Sequence, residues 1–235
     1  MKREHLELFE ELADSPTVPL KGVKHLLVIA GTPRCGSTLF CERLTSLRSV
    51  GRCEEWLNNE YFPVWEKVTG KQFNLGTYLN WVIERAATDV FSIKALVGQM
   101  HHAVTKYQFA FSGNMKLWYL YRNDKVAQAV SLAKAVASDK YRSYETGIDN
   151  PLIHNTDVAY NLYILSTQDR WYDENFRSKE AGRFEYSEFI QPGVAYETVL
   201  KSVGKELDGE MEARVKKQAN KHSERCIKDF RRWLG

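Results

Sequence analysis

Residues 26–44, LLVIAGTPRCGSTLFCERL, place Gly31, Arg34, Gly36, Ser37 and Thr38 at the end of an apolar run. Gly31 and Gly36 are five apart, as in G-x-x-x-x-G-K-[ST]. Glycines at these points let the backbone turn tightly and approach a ligand closely. The following helix-like stretch offers free N–H groups and the positive end of a dipole, both of which favour an anion. Ser37 and Thr38 add hydroxyl donors, and Arg34 puts a positive charge inside the loop. The chemistry is phosphate binding. A strand–turn–helix built from small residues for packing alone is the plainer alternative, and the strand, loop and helix order weighs against it.

One departure narrows the chemistry. Ser37 stands where a nucleoside triphosphatase carries the lysine that reaches its outer phosphates. Such an enzyme also holds magnesium with an aspartate at a strand end, whereas the apolar run KLWYLYR ends on Arg122. The loop therefore suits a single phosphate-like group held without a metal, and Arg122 offers a second basic point. A cysteine phosphatase is set aside, because the sixth residue after Cys35 is Cys41 rather than arginine.

These residues need elements to hold them. HLLVIA (25–30) is continuously apolar, as expected of a strand buried on both faces of a parallel sheet. VFSIKALV and KLWYLYR are two further strands, and RFEYSEF a weaker, short one. From Ser37, Phe40, Leu44 and Leu47 recur with helical spacing; Leu75, Leu79 and Val82 do so within 74–88. Asp124 is placed to cap a helix carrying Val126, Val130, Ala133 and Ala137 on one face. Residues 156–178 read as a long helix, and the stretch from about 211 as helical and strongly basic. At the N-terminus, 3–13 reads as an amphipathic helix with Leu6, Phe9 and Ala13 on one face. DSPTVPLKG then breaks it with two prolines. Alternating strands and helices predict an α/β fold: a P-loop-type three-layer α/β/α domain with a mostly parallel sheet. The expected division is an N-terminal helix and linker, 1–22, and a single domain, 23–235.

Composition bounds the rest. With 235 residues, 43% hydrophobic and 27% charged, the chain has the make-up of a soluble globular protein. A net charge of +3 is too mild to argue for nucleic acid. The N-terminus lacks a signal-peptide core and no apolar run approaches a membrane span, which makes a cytoplasmic protein the expectation. Cys35, Cys41, Cys53 and Cys226 form no C-x-x-C pair, and reduced thiols are expected. His101 and His102 are neighbours that either regular backbone points apart, and no metal site is expected.

The residues resemble the sulfotransferases that use 3′-phosphoadenosine 5′-phosphosulfate (PAPS). TPRCGSTLFCERL looks like their 5′-phosphosulfate loop, and YRNDKVAQAVSLAKA is similar to their 3′-phosphate motif. Within them the chain resembles the bacterial trehalose-sulfotransferase family, through GRCEEW, SIKALVGQ and the late KKQANKHSERCIKDF. It departs in carrying Cys53 where that family has proline and Leu57 where it has an aromatic, and in its extra N-terminal helix.

The resemblance implies roles. Arg34, Cys35, Gly36, Ser37 and Thr38 would grip the 5′-phosphosulfate. Donors aimed at the phosphate as charge builds on it favour the transition state, each contributing about 1.5–3 kcal/mol. Arg122 and Ser131 would bind the 3′-phosphate; a helical serine more often bonds its own backbone. Gln218, Lys221 and Ser223 would cover the adenosine end, against the alternative of a solvated basic face. Glu55 is the candidate general base, with Glu54 its neighbour and rival. Lys94 would contact the acceptor or the sulfuryl oxygens, unless it is a solvent-facing lysine. The implied acceptor is a carbohydrate or glycolipid, chosen by the 56–80 and 140–155 segments, where Tyr61, Phe62 and Trp65 either stack on sugar rings or pack a core. Dimers are usual in the resembled family, so the resemblance allows a homodimer, while the sequence itself leaves the oligomeric state open. Two other readings are a metal-dependent P-loop kinase and a catalytically inactive nucleotide-binding protein. Ser37 and Arg122 disfavour the first. The joint presence of Arg34, Glu55, Arg122 and Ser131 disfavours the second.

Overall fold

The computed structural model describes residues 2–15, 17, 22–86, 88–109, 115–216 and 219–235. Among them, four strands form an all-parallel sheet in the order β2-β1-β3-β4. The strands are β1 (His25–Gly31), β2 (Val90–Leu96), β3 (Met115–Tyr121) and β4 (Glu180–Glu185).

Side-chain alternation sorts the strand residues onto two cores. Val28, Ala30, Phe91, Ile93, Leu117 and Tyr119 face one. Helices α1 (Arg3–Asp14), α3 (Tyr61–Thr69), α4 (Leu75–Ala86) and α5 (Val97–Tyr107) pack over it, with the end of α7 (Asn155–Phe176). Leu27, Ile29, Val90, Trp118 and Leu120 face the other, under α2 (Ser37–Ser46), α8 (Tyr186–Phe189) and α9 (Val194–Ser202). Both faces are therefore covered, and the arrangement is the expected α/β/α sandwich. A third cluster joins α6 (Lys125–Ser138), α7 and α10 (Lys221–Trp233) through Val130, Ala133, Val158, Leu165 and Phe230.

Several boundaries differ from the sequence reading. The aromatics of NNEYFPVW form α3; Tyr61, Phe62 and Trp65 are buried in the first core and present no face to a sugar. The buried positions of α1 are His5, Phe9 and Leu12, and Ala13 is exposed. Ala137 is exposed on α6. The fourth strand runs 180–185, not 183–189, because Tyr186 starts α8. The basic C-terminal helix begins only at Lys221. Before it, the described residues from 205 are irregular, and the amides of Glu212, Arg214, Val215 and Lys216 are taken by side chains described below. Helices α5 and α9 were not anticipated. Among the described residues, no helix is long and apolar enough to cross a membrane.

Candidate active site

The glycine loop that the sequence reads as phosphate-binding joins β1 to α2. Gly31 has no room for a side chain: a Cβ there would lie 2.6 Å from Cys35 Sγ and 2.7 Å from the Leu120 carbonyl oxygen. Gly36 has φ +99°, and its Cβ would meet the Tyr186 ring at 2.7 Å. Arg34 also takes a left-handed backbone, with φ 66°, a strain of the kind that collects at functional sites. The loop is braced from behind. Gln128 of α6, fully buried, donates to Thr32 Oγ1 (2.9 Å) and the Pro33 carbonyl (2.7 Å). Asp169 of α7 accepts from Tyr119 Oη (2.5 Å) and Thr32 Oγ1 (3.4 Å), and pairs with Lys125 (2.6 Å).

In front of the loop lies a cavity of about 800 Å³. Arg34, Gly36, Ser37, Thr38, Arg122, Ser131 and Ser223 all line it. Its other charged lining residues are Arg43, Lys134, Lys140, Arg142, Lys216 and a single acid, Asp149. Such a surplus of positive charge fits a ligand with several phosphate-like groups. Arg122 sits at the end of β3 with its guanidinium 5.2 Å from the centre of the Tyr186 ring. Arg34 Nε donates to Ser131 Oγ (3.1 Å), and its Nη1 to the Tyr141 carbonyl. The structure thus joins two residues that the sequence reading gave to different phosphates.

Four of the expected donor-site residues are placed as follows. Cys35 is fully buried, its sulfur against Gly31 and the second core, and burial pushes its thiol pKa up. It shapes the loop from beneath and does not line the cavity. Lys221 is exposed at the start of α10 and lies outside the lining. Ser223 reaches the cavity wall, but its hydroxyl bonds Asn220 Oδ1 (3.2 Å) in the helix cap. Gln218 lies outside the described residues.

The carboxylates sit beside this cavity. The segment 50–56 runs along β2. Ser92 Oγ donates to the Val50 carbonyl (2.5 Å), Lys94 N to the Glu54 carbonyl (2.9 Å) and Trp56 Nε1 to the Ser92 carbonyl (3.1 Å). That pairing sends consecutive side chains in different directions. Glu55 Oε1 accepts from Lys94 Nζ at 2.6 Å and Oε2 from Gln99 Nε2 at 2.8 Å. Gln99 is itself oriented by the Leu96 amide, which donates to its Oε1 at 3.2 Å. Glu54 instead faces Arg142 Nη2 at 3.9 Å.

Electrostatics separate the two acids. Burial pushes Glu55 up, but the Lys94 ammonium and the Gln99 amide outweigh it and hold Glu55 below the usual carboxylate range. Burial dominates at Glu54 and raises its pKa, with Arg142 opposing. At Lys94 burial opposes the charge, but Glu55 raises its pKa overall. Lys94 is only 4% exposed, so it is not a solvent-facing lysine. Its Nζ also donates to Thr38 Oγ1 at 2.7 Å. A continuous chain therefore runs from Glu55 through Lys94 to Thr38 on the cavity wall.

Gln99 and Arg142 were not singled out in the sequence. Gln99 lies in SIKALVGQ, five residues after Lys94, and a helix starting at Val97 is what turns it back toward Glu55. Arg142 sits in irregular chain, and no periodic signal marks it. His101 packs edge-on against Trp171 and His102 against Tyr107. Among the described residues, no three His, Cys, Asp or Glu side chains are grouped to hold a metal ion.

No curated protein matches the chain. Residues 92–233 match the family model of the Stf0 sulphotransferases. This span contains Lys94, Gln99, Arg122, Ser131 and Arg142, and it covers more than half of the chain. The protein belongs to the Stf0 sulfotransferase family.

Proposed function

We propose that the protein transfers the sulfuryl group of PAPS to a hydroxyl of a carbohydrate or glycolipid, without a metal ion. The observation that carries this reading is the cationic cavity joined to the partly buried Glu55 carboxylate through Lys94. In this reading the domain is 23–235, with 1–22 as a helix and linker added to it.

The 5′-phosphosulfate lies against Arg34, Gly36, Ser37 and Thr38, and the 3′-phosphate against Arg122. Glu55 takes the proton of the attacking hydroxyl, a role its low pKa prepares by keeping it ionised. Lys94 touches both Thr38 and Glu55. It places a positive charge between the phosphosulfate and the acceptor, where negative charge develops. Calorimetry with 3′-phosphoadenosine 5′-phosphate and with ATP, each with and without magnesium, tests the donor. The bisphosphate binds in the absence of magnesium; tighter binding of magnesium-ATP refutes the reading. Sulfate transfer from labelled PAPS to a panel of sugars, glycolipids and lipopolysaccharide fragments then identifies the acceptor.

A further inference from the structure

Glu42, on α2, gathers two distant segments of chain. Its Oε2 accepts from the main-chain N–H groups of Arg214 (2.7 Å) and Val215 (2.9 Å). Its Oε1 accepts from the Tyr144 hydroxyl at 3.3 Å. Both segments lack regular structure, so their backbone groups depend on such partners. They are also joined to each other. The Arg214 guanidinium lies over the Tyr144 ring at 4.3 Å, and Lys216 N donates to Ser143 Oγ at 2.7 Å. Ser46, one turn after Glu42, accepts from Glu212 N at 3.0 Å. Tyr141, Arg142 and Ser143 from one segment, and Val215 and Lys216 from the other, form part of the cavity wall. One carboxylate thus fastens that wall to the helix whose first turn carries Ser37 and Thr38.

We infer that Glu42 is a positioning residue for the donor nucleotide, a latch that orders this wall before the ligand arrives. The inference rests on reading the cavity as the donor site. Irregular segments that must be ordered on binding take their ordering entropy out of the affinity. Hydrogen bonds to a carboxylate are about twice as strong as neutral ones, so a latch of this kind removes much of that loss in advance.

Three measurements on the intact protein test it. Glu42→Ala raises the Kd for 3′-phosphoadenosine 5′-phosphate and the KM for PAPS by about tenfold or more, while kcat at saturating donor changes less than about twofold. Glu42→Gln keeps an oxygen that accepts from both amides, and recovers most of the affinity. In the ligand-free protein, hydrogen exchange at the Arg214 and Val215 amides is slow in wild type, faster in Glu42→Ala and close to wild type in Glu42→Gln. A fall in kcat with KM unchanged overturns the positioning role, and so does equal exchange at 214–215 in all three proteins. Failure of the wild type to bind the bisphosphate overturns the donor reading and the latch's role in it. Failure in the exchange experiment alone overturns the latch and leaves the donor reading standing.

Discussion

Lys94 Nζ lies 2.6 Å from Glu55 Oε1 and 2.7 Å from Thr38 Oγ1, so one buried ammonium is shared between the phosphate loop and the candidate base. The two halves of the site are not independent. In the proposed reading, a change on the acceptor side reaches the donor side through a single hydrogen-bonded cation.

The identity of the base is the first consequence. Glu55→Gln keeps the side chain's size and leaves it unable to take up a proton, so transfer falls by about two to four powers of ten. Nucleotide affinity stays near wild type. Glu54→Gln is the control: Glu54 faces Arg142 at 3.9 Å, whereas Glu55 takes the Lys94 hydrogen bond, and the loss in Glu54→Gln is far smaller. Steady-state kinetics with a working acceptor check this. A larger loss in Glu54→Gln assigns the base to the wrong residue.

In the proposed donor site the 3′-phosphate is assigned to Arg122, because Ser131 is bonded to Arg34. Arg122→Ala therefore weakens 3′-phosphoadenosine 5′-phosphate by about tenfold or more, as expected for a charge-assisted contact. It changes adenosine 5′-phosphosulfate, which lacks the group, much less. Ser131→Ala removes one of the partners that hold the Arg34 side chain and weakens both nucleotides. Calorimetric titration of the two variants with both ligands decides the matter. Equal losses for Arg122→Ala remove its assignment.

The sequence made these candidate residues legible because each sits at a junction of local patterns. An apolar run ends at Gly31, another at Arg122, and a cap at Asp124 opens the helix that carries Ser131. What it concealed was tertiary. Val97 starts α5 directly after β2 with no turn residue between them, so the helix that delivers Gln99 left no boundary signal. Pro63 masked α3, although proline is tolerated in a first helical turn. The stretch after 211 is charged and lacks breakers, which reads as helix. Yet the amides of Glu212, Arg214, Val215 and Lys216 are satisfied by Ser46, Glu42 and Ser143 from far along the chain. No local pattern encodes that competition. Glu55 and Lys94 were each visible, but their pairing depends on segment 50–56 lying alongside β2.

The N-terminal helix bears on the same segment. Phe9 is fully buried, stacked on Trp81 at 5.9 Å and edge-on to Trp56 and Tyr61. Arg52 pairs with Glu11 at 2.7 Å just before the two glutamates. Phe9→Ala costs about 3–5 kcal/mol of stability, as for other buried aromatics. Chemical denaturation measures it. A loss below about 1 kcal/mol means that α1 is not part of the folded core.

Removing the ammonium tests how Glu55 is kept ionised. In Lys94→Met the burial of Glu55 is no longer opposed by its nearest cation, so its pKa rises. A base must be deprotonated to act. The acidic limb of the kcat/KM profile therefore moves to higher pH in the variant, on top of any fall in the plateau. An unmoved limb shows that some other group controls it.

The same pair sets a pH dependence of stability. The folded-state pKa of Glu55 is depressed. Its contribution is present above the unfolded value, about 4.3, and is lost as pH falls through the folded one. The folded-state pKa of Lys94 is raised. Its contribution is present below the unfolded value, about 10.4, and is lost as pH rises through the folded one. Removing both charges in Glu55→Gln/Lys94→Met deletes both dependences. Replacing a buried pair with neutral groups has no fixed sign, so the mid-range offset is not the test. The shape is. Relative to the double variant, wild type is level between about pH 5 and pH 10, and loses ground below about pH 4 and above about pH 10.5. Denaturant unfolding at a series of pH values gives the curve. Either single variant should be less stable than both, because it leaves one buried charge without its partner, at about 3–5 kcal/mol. A wild-type curve that bends relative to the double variant near neutral pH would mean that Glu55 is protonated in the folded protein. It would then have to lose a proton before it could act as the base.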